Sequence, residues 1–158
     1  MKPYIRREFK QTKKKMIQNV NKKEYNDLIS VWESSVKATH HFLTLEDFNF
    51  YKELIPTFFK SVSLHCIKNE NHTIIGFIGT HEESLEMLFV TADEIGNGIG
   101  KKLLLYAIEN LGVTKVDVNK DNTQAAAFYN HFGFELKSTS DVDGCGKPYP
   151  ILHLELAK

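Results

Sequence analysis

Hydrophobic and polar residues follow two different periods in the first part of the chain. Residues Met16–Val20 alternate, which predicts a short first strand. Apolar residues then recur at helical spacing, which predicts an amphipathic helix over Tyr25–Val36 and a second helix that begins after Thr44. Because proline interrupts the hydrogen bonds of a helix, Pro56 predicts that the second helix kinks or ends near Leu54.

The middle of the chain predicts three strands that follow one another without an intervening helix. Ser61–Lys68 and Thr73–Thr80 are joined by a polar turn, which is typical of a β-hairpin. Leu85–Val90 follows after another short turn. Its density of apolar residues predicts a third antiparallel strand, at the centre of the sheet.

Helices and strands alternate after this central strand. The pattern predicts a helix that ends at Gly112, a parallel strand over Val113–Asn119, a helix over Thr123–His131 capped by Asn122, and two last strands, after Gly133 and over Pro150–Leu156. The whole order predicts an α+β fold with a mixed, mostly antiparallel sheet and helices on both faces. A doubly wound fold would need regular β–α alternation, which the antiparallel middle contradicts.

The composition is that of a globular protein and favours no special class of partner. Of the 158 residues, 42% are hydrophobic, and 20 Lys and Arg residues balance 20 Asp and Glu residues. This neutrality gives no reason to expect nucleic acid or a membrane surface as a partner. No apolar run approaches the length of a bilayer span, and no secretory signal pattern is visible, so we expect a cytoplasmic protein. We expect one domain over residues 16–158.

Residues 1–15 are strongly basic and carry few periodic apolar positions. Their single acidic residue is Glu8, and their basic residues are Lys2, Arg6, Arg7, Lys10, Lys13, Lys14 and Lys15. We expect a flexible, solvated arm. An arm that binds nucleic acid is the alternative, although the rest of the chain offers no basic surface to support it.

The cysteines and histidines predict neither a disulfide framework nor a metal site. Cys66 lies in an alternating strand and is expected to be a buried thiol, whereas Cys145 lies between two glycines in a loop. A nucleophilic role for either would need a nearby base, which the sequence cannot show. Several histidines lack the spacing of metal ligands: His65, His72, His81, His131 and His153.

A glycine-rich turn lies between the central strand and the following helix. It reads Ile95-Gly96-Asn97-Gly98-Ile99-Gly100, with Lys101 after it. The unpaired N–H groups and the dipole at a helix start attract anions, so the turn predicts a phosphate site. A flexible turn without a ligand is the alternative, since the dinucleotide-binding fingerprint is not met.

A second notable stretch is the helix that begins at Asn122. It reads Asn122-x-x-Ala125-Ala126-x-Phe128-Tyr129-x-x-x-Gly133-Phe134. The phenylalanines of such a helix are most often core residues. Tyr129 neighbours Phe128 and therefore points in a different direction, so its phenol could lie beside a bound cofactor.

Together the two stretches resemble the signatures of the GNAT superfamily of acetyl-CoA-dependent N-acetyltransferases. The first signature, Gln/Arg-x-x-Gly-x-Gly/Ala after a strand, is matched by Ile95–Gly100 except that Ile95 replaces the usual Gln or Arg. The second is matched from Asn122 to Phe134, and the predicted element order also agrees. The segments Trp32–Leu43 and Gly146–Leu152 are similar to those of a small bacterial branch of the superfamily.

The resemblance implies direct transfer of the acetyl group of acetyl-CoA to a primary amine of a small molecule or peptide, without a metal. Many relatives form dimers, so a homodimer is a further expectation. The residues that the resemblance implies for the cofactor are Leu88, Phe89, Val90, Ile95, Gly96, Asn97, Gly98, Ile99, Gly100, Lys101, Asn122, Phe128 and Tyr129. Those implied for the acceptor are Trp32, His40, His41, Phe42 and Tyr149.

The resemblance also implies roles in catalysis. Tyr129 matches the acid that would protonate the departing thiolate, and backbone N–H groups near Phe89 and Val90 would stabilise the oxyanion. Glu86 lies where many relatives carry an acidic base. An exposed glutamate without a catalytic role is the alternative for Glu86, and His40 or His41 could be the base instead.

An alternative function remains open at this point. Ile95 departs from the pattern at a position that helps to hold the phosphates in the family. The chain could therefore be a catalytically weak module that binds or senses acetyl-CoA. The presence of Tyr129 favours the enzyme.

Overall fold

A seven-stranded sheet runs through residues 16–158, which are the residues that this computed structural model describes. The strands are β1 Ile17–Asn19, β2 Ser63–Lys68, β3 Ile74–His81, β4 Ser84–Val90, β5 Lys115–Asn119, β6 Phe134–Ser140 and β7 Ile151–Leu156. The α-helices are α1 Tyr25–Thr39, α2 Leu45–Phe59, α3 Ile99–Leu111 and α4 Thr123–His131, with 3-10 turns at Lys22–Glu24 and Ala92–Glu94. The predicted basic arm, residues 1–15, lies outside the described residues.

The topology of the sheet confirms the predicted fold class. The strand order is β1-β2-β3-β4-β5-β7-β6, and β4 occupies the centre, as predicted. Neighbouring strands are antiparallel except for β4 and β5, which are parallel. The chain therefore has the α+β fold with a mixed, mostly antiparallel sheet that the hydrophobic pattern predicts.

The parallel contact at the centre of the sheet is short. β4 and β5 pair only at Ser84 with Lys115 and at Leu85 with Val116. On its other side, β4 stays paired with β3 as far as Val90. The sheet is therefore open between β4 and β5 beyond Leu85, and one edge of β4 is left without a strand partner there.

Helices cover both faces of the sheet, so the molecule has two cores. On β3, Ile75 and Ile78 belong to the core beneath α3, whereas Ile74 and Phe77 belong to the core beneath α1 and α2. Strand β3 is therefore buried on both faces. The spacing of three within each pair, instead of two, comes from a β-bulge, because Ile67 pairs with Gly76 and Lys68 pairs with Ile74, which leaves Ile75 as an extra residue. Gly76 allows α3 to approach closely, because a Cβ atom there would lie 3.0 Å from side-chain atoms of both Ile99 and Leu103.

Helix α2 does not break at Pro56, so the prediction of an end near Leu54 is wrong. The helix begins as predicted at Thr44, whose hydroxyl accepts the Asp47 N–H at 3.1 Å, and it continues to Phe59. Pro56 removes only the bond that an N–H at this position would donate to the Lys52 oxygen, and the residues after it still complete the last turn. The buried ring of Phe59 packs 5.1 Å from that of Tyr25, which holds the last turn against α1.

Across residues 16–158, none of the helices combines the length and the apolar character that crossing a bilayer would require.

Candidate active site

The glycine turn presents a row of free N–H groups at the start of α3. Gly96 and Gly98 have φ angles of 91° and 83°, a conformation that residues with a side chain rarely adopt. The first main-chain bond of the helix is donated by Lys102 N–H to the Gly98 oxygen at 3.1 Å. The N–H groups of the three residues between them therefore have no helical acceptor and are available to an anion.

A cavity of about 330 Å³ lies between this turn, the end of β4 and the start of α4. Most of the residues expected at the cofactor line it: Leu88, Phe89, Val90, Ile95, Gly96, Gly98, Gly100, Lys101, Asn122, Phe128 and Tyr129. The cavity runs along the open edge of β4 and extends into the gap between β4 and β5. A long, extended ligand with an anionic end fits this shape, because the N–H groups of the turn close one end of it.

Two residues expected at the cofactor have their side chains outside this cavity. Ile99 is 1% exposed and packs into the core beneath α3, so only its backbone N–H faces the turn. The Asn97 amide donates to Glu94 Oε2 at 3.3 Å on the surface. For both positions the backbone, rather than the side chain, is what the site can use.

The open edge of β4 offers two N–H groups to the cavity. Thr91 N–H donates to the Ile75 oxygen at 2.9 Å, and N–H directions alternate along an antiparallel strand. Phe89 N–H therefore points toward β3, whereas those of Leu88 and Val90 point into the gap beside β5. This corrects the expectation for Phe89, because its N–H is used within the sheet, and it adds Leu88 as a donor.

Helix α4 brings a capping amide and a buried phenol to the cavity. Asn122 Oδ1 accepts the Ala125 N–H at 3.2 Å, which starts the helix and leaves the side-chain NH₂ group free of the cap. The Tyr129 side chain is only 7% exposed, between the rings of Phe128 and Phe134. Burial raises the pKa of the Tyr129 phenol above its ordinary value, so the phenol stays protonated and can donate.

A second cavity, of about 220 Å³, lies on the other side of Phe89. It is lined mainly by aromatic and aliphatic side chains, among them Trp32 and Tyr149, and by two carboxylates, Glu86 and Asp143. A pocket with an apolar wall and anionic groups suits an amine that is carried on an apolar stem. We call it the acceptor cavity.

The acceptor cavity and the first cavity share two residues, His40 and Phe89. Of the side chains expected at the acceptor, His41 and Phe42 line neither cavity. His41 is exposed, and the Phe42 ring lies behind the pocket, 5.2 Å from the His40 ring and 5.9 Å from the Tyr149 ring. Of the five residues expected at the acceptor, Trp32, His40 and Tyr149 therefore line the acceptor cavity.

The loop of residues 141–150 between β6 and β7 closes the acceptor cavity and is fastened to α2 at two points. The Tyr51 hydroxyl donates to Asp143, and the Tyr149 hydroxyl donates to Asp47. Lys147 adds an ion pair to Asp47 at 3.1 Å. The hydrogen bond from the Tyr149 hydroxyl is the largest cause that lowers the pKa of Asp47, and the bond from Lys147 is the next. The Asp47 carboxylate is therefore ionised at neutral pH.

Sequence reasoning missed several residues of both cavities. Ser35, Thr39, Glu94, Gln124 and Ala125 line the first cavity, and Tyr51, Met87 and Asp143 are among those that line the second. Tyr51 lies on the apolar face of α2 and looks like a core residue in the sequence. No local pattern marks Asp143, because its role depends on a partner 92 residues away.

The cysteines show no feature of a reactive thiol. Cys66 is fully buried, and this burial raises its pKa to about 11. Cys145 is exposed in the β6–β7 loop, and its pKa is also raised, first by desolvation and then by Asp143. Within residues 16–158, no group of three or more His, Cys, Asp or Glu side chains is placed to hold a metal ion.

Comparison with known proteins identifies the family. Residues 61–136 match the acetyltransferase (GNAT) domain family. The peptidyl-lysine N-acetyltransferase YjaB of Escherichia coli strain K12 is 34% identical over 131 residues, which are 83% of this chain and 89% of that protein. The solution structure of apo-form YjaB from Escherichia coli superposes with a TM-score of 0.84 at 32% identity, over 91% of this chain and 98% of that one.

A more distant structure shares the fold. The PaiA N-acetyltransferase of Thermoplasma acidophilum, solved in complex with coenzyme A, is 22% identical, with a TM-score of 0.66 over 90% of this chain and 99% of that one. The expectation of an acetyl-CoA-dependent N-acetyltransferase is confirmed by the family match and the close relative. The chain belongs to the GNAT family of acetyltransferases.

Proposed function

We propose that the protein transfers the acetyl group of acetyl-CoA to the side-chain amine of a lysine in a peptide or protein. One observation carries this proposal: an apolar acceptor cavity with two carboxylates meets the cavity along β4 at His40 and Phe89. A lysine side chain has the matching chemistry, since its four-carbon stem is apolar and its end is cationic. The Escherichia coli relative is a peptidyl-lysine N-acetyltransferase by name, which supports the same substrate class.

The residues of the first cavity fit the pyrophosphate and the thioester arm of acetyl-CoA. The free N–H groups at the start of α3 would hold its pyrophosphate, and Lys101 adds a positive charge beside them. The open edge of β4 would hold the extended arm that leads to the thioester. When bound, acetyl-CoA supplies an acetyl group whose bond to sulfur is the one that breaks.

The N–H groups of Leu88 and Val90 face the gap where the carbonyl of the thioester would lie. As the amine nitrogen bonds to the carbonyl carbon, negative charge collects on the oxygen. Backbone donors that are already fixed in place stabilise such charge without reorganisation. We assign the oxyanion site to this edge of β4.

Tyr129 would stabilise the departing sulfur. A buried phenol with a raised pKa remains protonated and donates its O–H to the thiolate as the C–S bond breaks. Because a thiolate is a weaker base than the buried phenolate would be, the hydrogen bond itself provides stabilisation before any complete proton transfer. Tyr129 would therefore be the catalytic donor of the site.

Glu86 is the candidate base of the acceptor cavity. Its side chain is exposed on β4 and lines the cavity together with Asp143. A lysine enters as an ammonium ion and must lose a proton before its nitrogen can attack. Glu86 would attract the cation and accept that proton directly or through one water molecule.

The proposal is tested by measuring cofactor binding and turnover separately. Calorimetry with acetyl-CoA should give a saturable signal, and a thiol assay should detect free coenzyme A when a lysine peptide is added. A matched peptide whose lysine is replaced by norleucine, which keeps the stem and removes the amine, should release none. Binding without thiol release from any amine would indicate a sensor instead, and no binding at millimolar acetyl-CoA would contradict both functions.

Ile95 offers a second test of the cofactor site. Its side chain is 43% exposed at the mouth of the first cavity. Ile95→Arg should tighten acetyl-CoA binding by about two- to fivefold, since an exposed charge pair contributes at most about 1 kcal/mol. The gain should shrink in high salt, whereas Ile95→Leu should leave the affinity unchanged. An equal gain for both variants would show that the added charge does not meet the phosphates.

A further inference from the structure

His40 stands at the junction of the two cavities. It follows the last residue of α1, and its side chain lines both the cavity along β4 and the acceptor cavity. A group in this position can reach an amine that approaches the thioester. Nδ1 of the ring is bonded to Thr39, so Nε2 is the nitrogen that remains for such an amine.

A short hydrogen-bond chain fixes the tautomer of this imidazole. The Thr39 hydroxyl lies 2.8 Å from the Ser35 carbonyl oxygen and 2.7 Å from His40 Nδ1. A carbonyl oxygen can only accept, so the single hydroxyl hydrogen of Thr39 is donated to Ser35. Thr39 must then accept from His40, which places the hydrogen on Nδ1 and leaves a lone pair on Nε2.

The charge state of the ring agrees with this arrangement. Burial, followed by the neighbouring His41, lowers the pKa of His40 to about 4. The ring is therefore neutral at neutral pH, and Nε2 keeps its lone pair.

We propose that His40 Nε2 accepts an N–H hydrogen bond from the acceptor amine, and that Thr39 is a positioning residue that fixes the tautomer required for this contact. The inference rests on the proposed acetyl transfer and adds the alignment of the nucleophile to it. A neutral amine carries two N–H donors and one lone pair. An acceptor that binds one N–H leaves the lone pair free to attack the carbonyl carbon.

The other tautomer would have the opposite effect. With a hydrogen on Nε2, the ring would donate to the lone pair of the amine and withdraw it from the reaction. Fixing the tautomer therefore decides whether the imidazole aligns the nucleophile or blocks it. Glu86 and His40 have separate tasks in this scheme, since the carboxylate takes the proton of the ammonium and the imidazole orients the resulting amine.

The test compares Thr39→Val with Thr39→Ser in the full chain. Valine has nearly the shape of threonine but no hydroxyl, whereas serine keeps the hydroxyl. Nitrogen-15 NMR of labelled histidines should show the Nδ1–H tautomer for His40 in the wild type and in Thr39→Ser. Thr39→Val should shift His40 toward the Nε2–H tautomer.

Kinetics provide the second measurement. Thr39→Val should lower kcat for the lysine peptide about tenfold or more, with little change in the dissociation constant of acetyl-CoA, and Thr39→Ser should restore most of the rate. An Nε2–H tautomer in the wild type, or an unchanged rate in a Thr39→Val variant whose tautomer has shifted, would overturn the inference. Absence of thiol release from the wild type would instead overturn the proposed function on which it rests.

Discussion

Tyr129→Phe is expected to reduce kcat by about 10²- to 10³-fold, a typical contribution of a positioned proton donor. The change removes one oxygen atom from a ring that is held between Phe128 and Phe134, so the packing should be kept. The dissociation constant of acetyl-CoA should change little, because the phosphates and the arm of the cofactor meet other groups. Thiol release with saturating peptide gives kcat, and calorimetry gives the affinity.

Tyr106→Phe is the matched control for this variant. Tyr106 lies on α3, its ring is 5.5 Å from that of His65, and it lines neither cavity. Its loss of a hydroxyl should leave kcat at the wild-type value. A Tyr129→Phe enzyme with the same rate as this control would remove Tyr129 from the mechanism.

Phe77→Ala is expected to lower the free energy of unfolding by about 3–5 kcal/mol, the usual cost of deleting a fully buried aromatic side chain. Phe77 is 0% exposed at the centre of β3 and packs 6.0 Å from the Phe59 ring and 5.7 Å from the Phe89 ring. It therefore supports both the end of α2 and the residue that separates the two cavities. Urea denaturation followed by circular dichroism measures the change.

A surface residue gives the comparison for this loss. Leu136 is 57% exposed on β6, and Leu136→Ala should change the free energy of unfolding by less than about 0.5 kcal/mol. A decrease in the free energy of unfolding of under about 1 kcal/mol for Phe77→Ala would mean that the core beneath α1 and α2 repacks to fill the cavity that the ring leaves. In that case, Phe89 would not depend on Phe77 for its position.

The fold was predictable because its information is local. The two periods of hydrophobic residues, the Thr44 and Asn122 caps and the glycines that end α3 and shape its start each act within a few residues. The prediction that α2 would break at Pro56 was wrong because a contact distant in sequence decides the end of the helix. A local rule was overruled there by the packing of Phe59 against Tyr25, which lies 34 residues earlier.

In the candidate site, too, the residues that belong to short local motifs were predictable, and those that depend on distant contacts were not. The glycine turn and α4 carry short motifs, so the first cavity could be anticipated from the sequence, except that the period of α3 turns the Ile99 side chain into the core. The acceptor cavity could be anticipated only in part. Its fastenings join Tyr51 to Asp143 and Asp47 to Tyr149, which are 92 and 102 residues apart, and no local pattern reports such contacts.

The partners Tyr51 and Asp143, and Asp47 and Tyr149, are far apart in the chain, so the two cavities receive their last residues at different points of the sequence. Every residue found in the cavity along β4 has been added to the chain by Tyr129, whereas the acceptor cavity also needs Asp143 and Tyr149. Strand β7, the last to be made, must also enter between β5 and β6. The sheet is therefore complete only once β7 has been added, and the acceptor cavity, which needs the loop before β7, is completed together with it.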